Sequence, residues 1–474
     1  STTAEKESSH ELGIHTEGSS IMLDKVAWYA FVLGTLTIIA YSLKESSLAI
    51  LMAYLVFGVL GLTLVWRSGV TGRHIYMTVL GFSTVAIIVL TLSYIREYGV
   101  PHINAGSDVL MYEMTGKMFA KGFGIFDYNA IRGNVVSEGH NSVGFVYLVG
   151  LFVKLSDNFD GYHTIVPRLF NSVCLGLISV LIFTMGQRLG LQRKTTVVAA
   201  LFSGCMPLMV SVASDVLRDI VQSLLIMTII FLWIVDSRGK WRYPVPVLLL
   251  LSAPLMLVIW EIRAAQVFVI IIIISIALLT NYQLFKPVQL VSTLLPIIIL
   301  GAYFAYQFKA DVLMDVEHYF GSIDRYAMHR LGNVSYIGMS NIVFEEPLFP
   351  IGWLYRTAYA LVSPLPVAYE TLYSAWTSLG TIIHILFIPF LLLGLKGTAS
   401  ALGWRTLAST FVLLFIGMAM FTFTDRHMTQ FLPFAILLAA RGVENYENHP
   451  LRVWLFMGLA GASLAIIYVS LRFF

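Results

Sequence analysis

AAQVFVIIIIISIALLT, from Ala264 to Thr280, is seventeen residues without a single charge, and it follows directly on the charged triplet Glu261-Ile262-Arg263. Seventeen helical residues rise about 26 Å, close to the ~30 Å hydrocarbon core of a bilayer. A strand of this length is excluded, because strands run to about eight residues. Similar runs recur along all 474 residues, near 26–43, 48–66, 74–95, 163–186, 195–213, 218–235, 244–260, 264–280, 288–307, 376–395, 405–422, 428–441 and 453–473. The composition agrees: 58% of residues are hydrophobic and 12% charged, about half the charged fraction of soluble domains. The expected fold is an all-α polytopic membrane protein with about thirteen spans. The net charge of +3 is dispersed along the chain, so nucleic acid is not an expected partner. Cys174 and Cys205 fall inside spans and are expected core residues.

Residues 1–24 lack a basic segment followed by a short apolar core, so they are expected to be a polar cytoplasmic tail and not a signal peptide. With the N-terminus inside, the short inner loops carry Arg67 and Arg73, then Arg188, Arg193 and Lys194, then Arg238, Lys240 and Arg242, then Lys286, Lys396, Arg405, Arg441 and Arg452. This obeys the positive-inside rule throughout. It requires the shorter apolar segments Val143–Leu155 and Gly352–Pro366 to lie in the interface or re-enter. The expected organisation is three spans over 25–95, a first outer loop over 96–162, a bundle over 163–307, a second outer loop over 308–375 and C-terminal spans over 376–474. Turns at 214–217, 261–263 and 424–427 share the outer side.

That side collects ionisable residues: Asp108, Glu113, Asp127, Glu138, Arg168, Asp215, Arg218, Asp219, Glu261, Arg263, Asp425, Arg426 and His427. Each is expensive to leave in lipid and must face water, a partner or a ligand. Arg168, Arg218, Arg263 and Arg426 stand at the outer ends of four spans, opposite the side where basic residues accumulate. Their planar forks suit phosphate, and the phosphate of a membrane lipid lies at that level. For Arg218 a purely structural reading is a salt bridge to Asp215 one turn earlier. Asp108 also has two readings. With apolar residues at 110, 111, 114 and 118, Ser107 or Asp108 caps an amphipathic helix on the membrane. Alternatively, Asp108 takes a proton from an attacking hydroxyl, with Glu113 and Glu138 as further carboxylates.

These features resemble the membrane glycosyltransferases of the GT-C superfamily, especially bacterial relatives of protein O-mannosyltransferases and of enzymes that use polyprenyl-phosphate sugars. The likeness rests on Gly106-Ser107-Asp108-x-x-x-Tyr112, Pro167-Arg168-Leu169-Phe170-Asn171, Ser214-Asp215-x-x-Arg218-Asp219, and Arg426-His427 running to Ala439-Ala440-Arg441-Gly442. It implies Asp108 as catalytic base; Tyr112, His140, Arg168, Arg218, Asp219, Arg263, Arg426 and His427 are the expected substrate-binding residues. Two departures are three spans before the first outer loop and no second carboxylate directly beside Asp108. Ser363-Pro364-Leu365-Pro366 and the spacing of Arg426 and Gly442 are also similar to Wzy-type polysaccharide polymerases.

The leading expectation is transfer of a sugar from a polyprenyl-(di)phosphate-linked donor to a sugar, lipid or protein acceptor, at the outer face of a bacterial inner membrane, in cell-envelope glycan synthesis. Alternatives are a polymerase or ligase of lipid-linked oligosaccharides and a lipid-linked sugar transporter or flippase. No cofactor is expected. A divalent metal would draw on Glu138, His140, Asp315, Glu317 and His318, none of which has convincing ligand spacing. His384, inside an apolar run, is expected to be a hydrogen-bonded core residue.

Overall fold

A computed structural model describes residues 2–103, 108–122, 142–280, 352–362, 370–398, 401–421 and 425–445, with a few isolated positions between and beyond them. Among the described residues every regular element is helical. Six helices are long and apolar enough to cross a membrane: Met22–Glu45, Trp66–Tyr98, Ile165–Arg188, Val245–Leu279, Leu372–Leu395 and Leu402–Ala419. Leu48–Leu64, Val143–Ser156 and Asp219–Trp233 are shorter apolar helices. The chain is therefore a helical membrane protein. The expected spans 288–307 and 453–473, and most of the outer loop 308–375, lie outside the described residues.

The helices, in chain order, are α1 (Thr2–Glu45), α2 (Leu48–Leu64), α3 (Gly69–Tyr98), α4 (Asp108–Gly122), α5 (Val143–Ser156), α6 (Ile165–Arg188), α7 (Arg193–Cys205), α8 (Pro207–Ala213), α9 (Asp219–Trp233), α10 (Val245–Thr280), α11 (Trp353–Val362), α12 (Leu372–Leu395), α13 (Leu402–Phe421), α14 (Asp425–Met428) and α15 (Leu432–Glu444). Several expectations change. The polar N-terminal residues continue the helix of the first span as α1. The expected span 195–213 is two helices bent by 43° at Met206, because Pro207 has no amide hydrogen to carry α7 onward and instead starts α8. The expected break at 261–263 is present: the stretch α10 is two helices meeting at a kink where Arg263 is extended (φ −164°, ψ 92°), between the expected spans 244–260 and 264–280.

By contact the chain forms two units, 1–184 with 196–224, and 185–195 with 225–474. In the first unit α1 and α3 meet backbone to backbone, since a Cβ on Gly81 would lie 2.1 Å from the Ala30 carbonyl oxygen. Small residues at such crossings let membrane helices approach closely. One end of this unit is fixed by Asp24 and His74, 3.2 Å apart. At the other end Asp160 accepts the Ala49 amide at 2.9 Å and the Ser47 hydroxyl at 3.3 Å, while His163 stands 3.8 Å from Glu45. The turn at 44–48 and the first large loop therefore share a side, as the charge pattern requires.

α4 buries Val109, Tyr112, Glu113, Gly116 and Phe119. It seats these on α5, where Tyr112 meets Phe145 edge-on at 5.2 Å and Phe119 stacks on Tyr147 at 5.4 Å. Its opposite side leaves Leu110, Met114 and Met118 exposed, which suits a helix lying on a bilayer.

In the second unit α12 and α15 touch through two glycines. A Cβ on Gly394 would fall 1.8 Å from the Leu438 carbonyl oxygen, and one on Gly442 the same distance from that of Phe390. The expected inner loops meet at one end of this unit. The Trp404 indole donates to Leu189 O at 3.2 Å, the Gln192 amide to Glu444 at 2.7 Å, and the Ser237 amide to Arg188 O at 3.0 Å.

Candidate functional site

α3 ends where Gly99 turns left-handed (φ 72°) and returns its amide to Ile95 O. Few residues other than glycine take that conformation without strain. The reversal delivers Pro101-His102-Ile103 over the first unit. There His102 is buried between two carboxylates, Nε2 at 2.9 Å from Glu113 Oε2 and Nδ1 at 2.9 Å from Asp215 Oδ1. Against two ionised carboxylates, which only accept, both ring nitrogens donate and the ring carries positive charge; Arg168 Nη2 also lies 3.1 Å from Nδ1.

Burial disfavours that charge, but the hydrogen bonds to Asp215 and Glu113 outweigh it and raise the His102 pKa above its ordinary 6.5. Burial likewise opposes ionisation of Glu113. The His102 hydrogen bond, followed by the field of Lys117, overcomes it and holds this carboxyl down at about 2. Tyr162, buried beside Glu113, has its phenol pushed well up, first by burial and then by that carboxylate.

Arg168 completes the cluster from α6. Its guanidinium is fully buried, donates to Thr91 Oγ1 at 2.7 Å and to Asp215 Oδ1 at 3.3 Å, and also bonds the Pro101 carbonyl. Asp215 further accepts the amides of Ile103 at 3.0 Å and Val216 at 2.8 Å. Beside it, Asn171 donates to the carbonyls of Asp215 and Leu217, and the Tyr94 hydroxyl meets Ser214 at 2.6 Å. Two anions and two cations thus balance in a buried group that ties the loop after α3, α4, α6 and the turn at 214–217 together.

This sorts the expected site residues. Arg168, expected to face an anion, is placed inside the cluster with both terminal guanidinium nitrogens on protein acceptors, while its buried Nε meets no acceptor among the described residues. Glu113 is placed there too, and a carboxyl held near 2 is a poor proton acceptor at neutral pH. Asp215 spends both carboxylate oxygens on His102, Arg168 and backbone amides. Asp219 is buried at the first residue of α9, where a helix N-terminus favours an anion.

Asp108 and Arg218, by contrast, remain partly exposed. Arg218 lies with its guanidinium carbon 5.9 Å from the centre of the Tyr112 ring, a cation–π distance. Tyr112 itself is buried, its hydroxyl 3.3 Å from Ser142. Asp108 precedes Tyr112 by four residues on α4, so the two share a helix face. A partly exposed carboxylate and a partly exposed guanidinium therefore stand near one aromatic ring beside the charge-balanced cluster.

The remaining candidates belong to the second unit or lie outside the described residues. Arg263 sits at the break in α10, and Arg426 and His427 on the short helix α14. Gln266 donates to Gln430 at 2.7 Å. That buried bond joins the segments carrying Arg263 and Arg426, since the glutamines follow them by three and four residues. Asp127, Glu138 and His140 lie outside the described residues, as do Asp315, Glu317 and His318. Among the described residues no group of three or more His, Cys, Asp or Glu is arranged to hold a metal ion.

Sequence reasoning missed His102. The only local signal was a histidine placed three residues beyond a glycine suited to end α3, inside the polar stretch that also carries Asp108. No family model, no curated protein and no solved structure matches this chain.

Proposed function

We propose that the chain is an integral-membrane glycosyltransferase of the GT-C kind, with about thirteen spans. It moves a sugar from a polyprenyl-(di)phosphate-linked donor to a sugar, lipid or protein acceptor at the outer face of a bacterial inner membrane, in cell-envelope glycan synthesis. The observation that carries this reading is Arg218 over the Tyr112 ring, one helical turn from Asp108. A carboxylate and a guanidinium at one accessible patch are what displacement at a sugar phosphate requires.

Asp108 takes the proton of the acceptor hydroxyl as that oxygen bonds to the anomeric carbon. The bond from that carbon to the phosphate oxygen breaks, and its electron pair leaves with the lipid phosphate. Arg218 stabilises the charge growing there, the electrostatic effect that usually contributes most in such catalysis. Phosphate is a competent leaving group, so no general acid is needed. The cluster around His102 supports this patch from beneath by fixing α4 against α6 and the 214–217 turn.

The test is transfer from radiolabelled polyprenyl-phosphate sugars by the purified protein. Arg218→Ala is expected to weaken donor binding by about 10- to 150-fold, the loss of one charge-assisted contact of roughly 1.5–3 kcal/mol. Unchanged donor binding by correctly folded Arg218→Ala removes this arginine from the site. A second reading, a lipid-linked sugar flippase, draws on the bend at Met206 and the break at Arg263, because transporters build their sites from interrupted helices. Proteoliposomes separate the two: a flippase moves labelled lipid between leaflets and forms no new glycosidic bond.

A further inference from the structure

At the end of the first unit marked by Asp24 and His74, away from Asp108 and Arg218, α1, α2 and the start of α3 enclose a crevice of about 370 Å³. Its walls are apolar and include Phe31, Leu55, Val59, Leu62 and Met77. The lining tyrosine hydroxyls are already used, Tyr76 on the Gly58 carbonyl at 3.1 Å and Tyr54 with Thr35 at 3.2 Å. A water-filled role is therefore disfavoured, and a volume above about 300 Å³ is that of a ligand-sized site.

The mouth is different in kind. Trp66 and Trp28 line it and are more than half exposed, the placement of interfacial aromatic anchors. Arg73 stacks its guanidinium 4.4 Å from the Trp66 ring centre, and His74 pairs with Asp24 at 3.2 Å. Lys25 and Arg67 are exposed at the same helix ends. Among the described side chains the carboxylate here is Asp24, which faces His74, so the described side chains at this mouth carry more positive than negative charge.

We propose that this crevice is a binding site for an anionic phospholipid, with one acyl chain between α1, α2 and α3 and the headgroup phosphate on Arg73. The apolar walls match the chain and the basic mouth matches the phosphate. A zwitterionic lipid satisfies the first feature but gains less from the second. This site does not depend on the proposed transferase reaction, because it lies at the other end of α1 and α3.

Two substitutions probe the two halves of the site. Arg73→Ala removes the phosphate contact. Gly58→Leu is designed to fill the crevice, which Gly58 lines, and its Cβ has room, since it would meet its nearest neighbour, Leu80, at an ordinary 3.7 Å. Delipidated full-length protein is titrated with phosphatidylglycerol and with phosphatidylcholine under native mass spectrometry. Wild type is expected to prefer phosphatidylglycerol by about ten-fold, a difference of roughly 1.4 kcal/mol. Arg73→Ala is expected to lose that preference while still binding both lipids, and Gly58→Leu to lose the tight site for both. Equal binding of the two lipids by wild type overturns the headgroup assignment. Unchanged binding by Gly58→Leu overturns the crevice as the site.

Discussion

Replacing His102 by alanine leaves two carboxylates buried without the cation between them. Each loses a charge-assisted hydrogen bond of 2.9 Å, about 1.5–3 kcal/mol apiece. Some compensation survives, because Glu113 keeps Lys117 at 3.5 Å and Asp215 keeps Arg168 and two backbone amides. The expected loss is therefore about 3 kcal/mol, the lower end of the ~3–5 kcal/mol seen when one partner of a buried ion pair is removed. Thermal unfolding of the detergent-purified protein reads this directly. A double-mutant cycle with Glu113→Gln isolates the pair: once Glu113 is neutral, losing His102 strands only Asp215, so the double variant should be more stable than the sum predicts by about 1–3 kcal/mol. Wild-type stability in His102→Ala, or strict additivity in the cycle, would refute the buried cluster as the clamp on α4.

The same cluster sets a pH window. His102 has a raised pKa, so its contribution is complete below about 6.5 and is lost as pH climbs through its higher folded value. Glu113 is lowered to about 2 from 4.5, so its contribution is complete above 4.5 and is lost as pH falls toward 2. Melting temperature should thus be highest between these limits, and Glu113→Gln should flatten the acid limb. Asp108→Asn keeps a capping acceptor but no basic carboxylate, and should lower transfer by 10²-fold or more with little change in stability, measured as single-turnover rate against melting temperature. Gly394→Leu forces a side chain into the Leu438 carbonyl and should reduce folded yield sharply by size-exclusion profile, whereas Gly417→Ala, with open space around it, should not. Cysteines at positions 46 and 158 should label from the same side of intact cells and one at 240 from the other; labelling of all three from one side breaks the topology.

Six of the expected spans recur as helices long and apolar enough to cross a membrane, legible because hydrocarbon thickness imposes length and apolarity locally, and a local rule can be read locally. The ends of α3, α6 and α12 fall within a few residues of their expected limits. What failed was whatever depended on distant partners. His102 gains its meaning from groups 11 and 113 residues away, and nothing around Pro101-His102 announces them. Arg168 was read as an anion ligand because it is basic on the expected outer side. Its acceptors come from α3, from the loop after it and from the 214–217 turn, three stretches that sequence does not show to be neighbours. Glu261-Ile262-Arg263 was legible for the opposite reason: charges interrupt the apolar runs locally, and the helical run kinks there at the extended Arg263. Gly442, matched to an arginine-to-glycine spacing, has a packing reason to be glycine where α15 meets Phe390.

The carboxylate of Asp160 at the start of α2 links two moments in the life of the chain. It accepts the amide of Ala49, 111 residues upstream. A ribosome adding about 5–20 residues per second emits α1 and α2 some 6 to 22 s before the group that completes their turn. During that interval the hairpin has bare amides at its crest, where a translocase or a chaperone for membrane segments has its opportunity to hold it. Release would then coincide with arrival of the loop that also carries His163, so the first helical pair is finished only once the second has begun to cross.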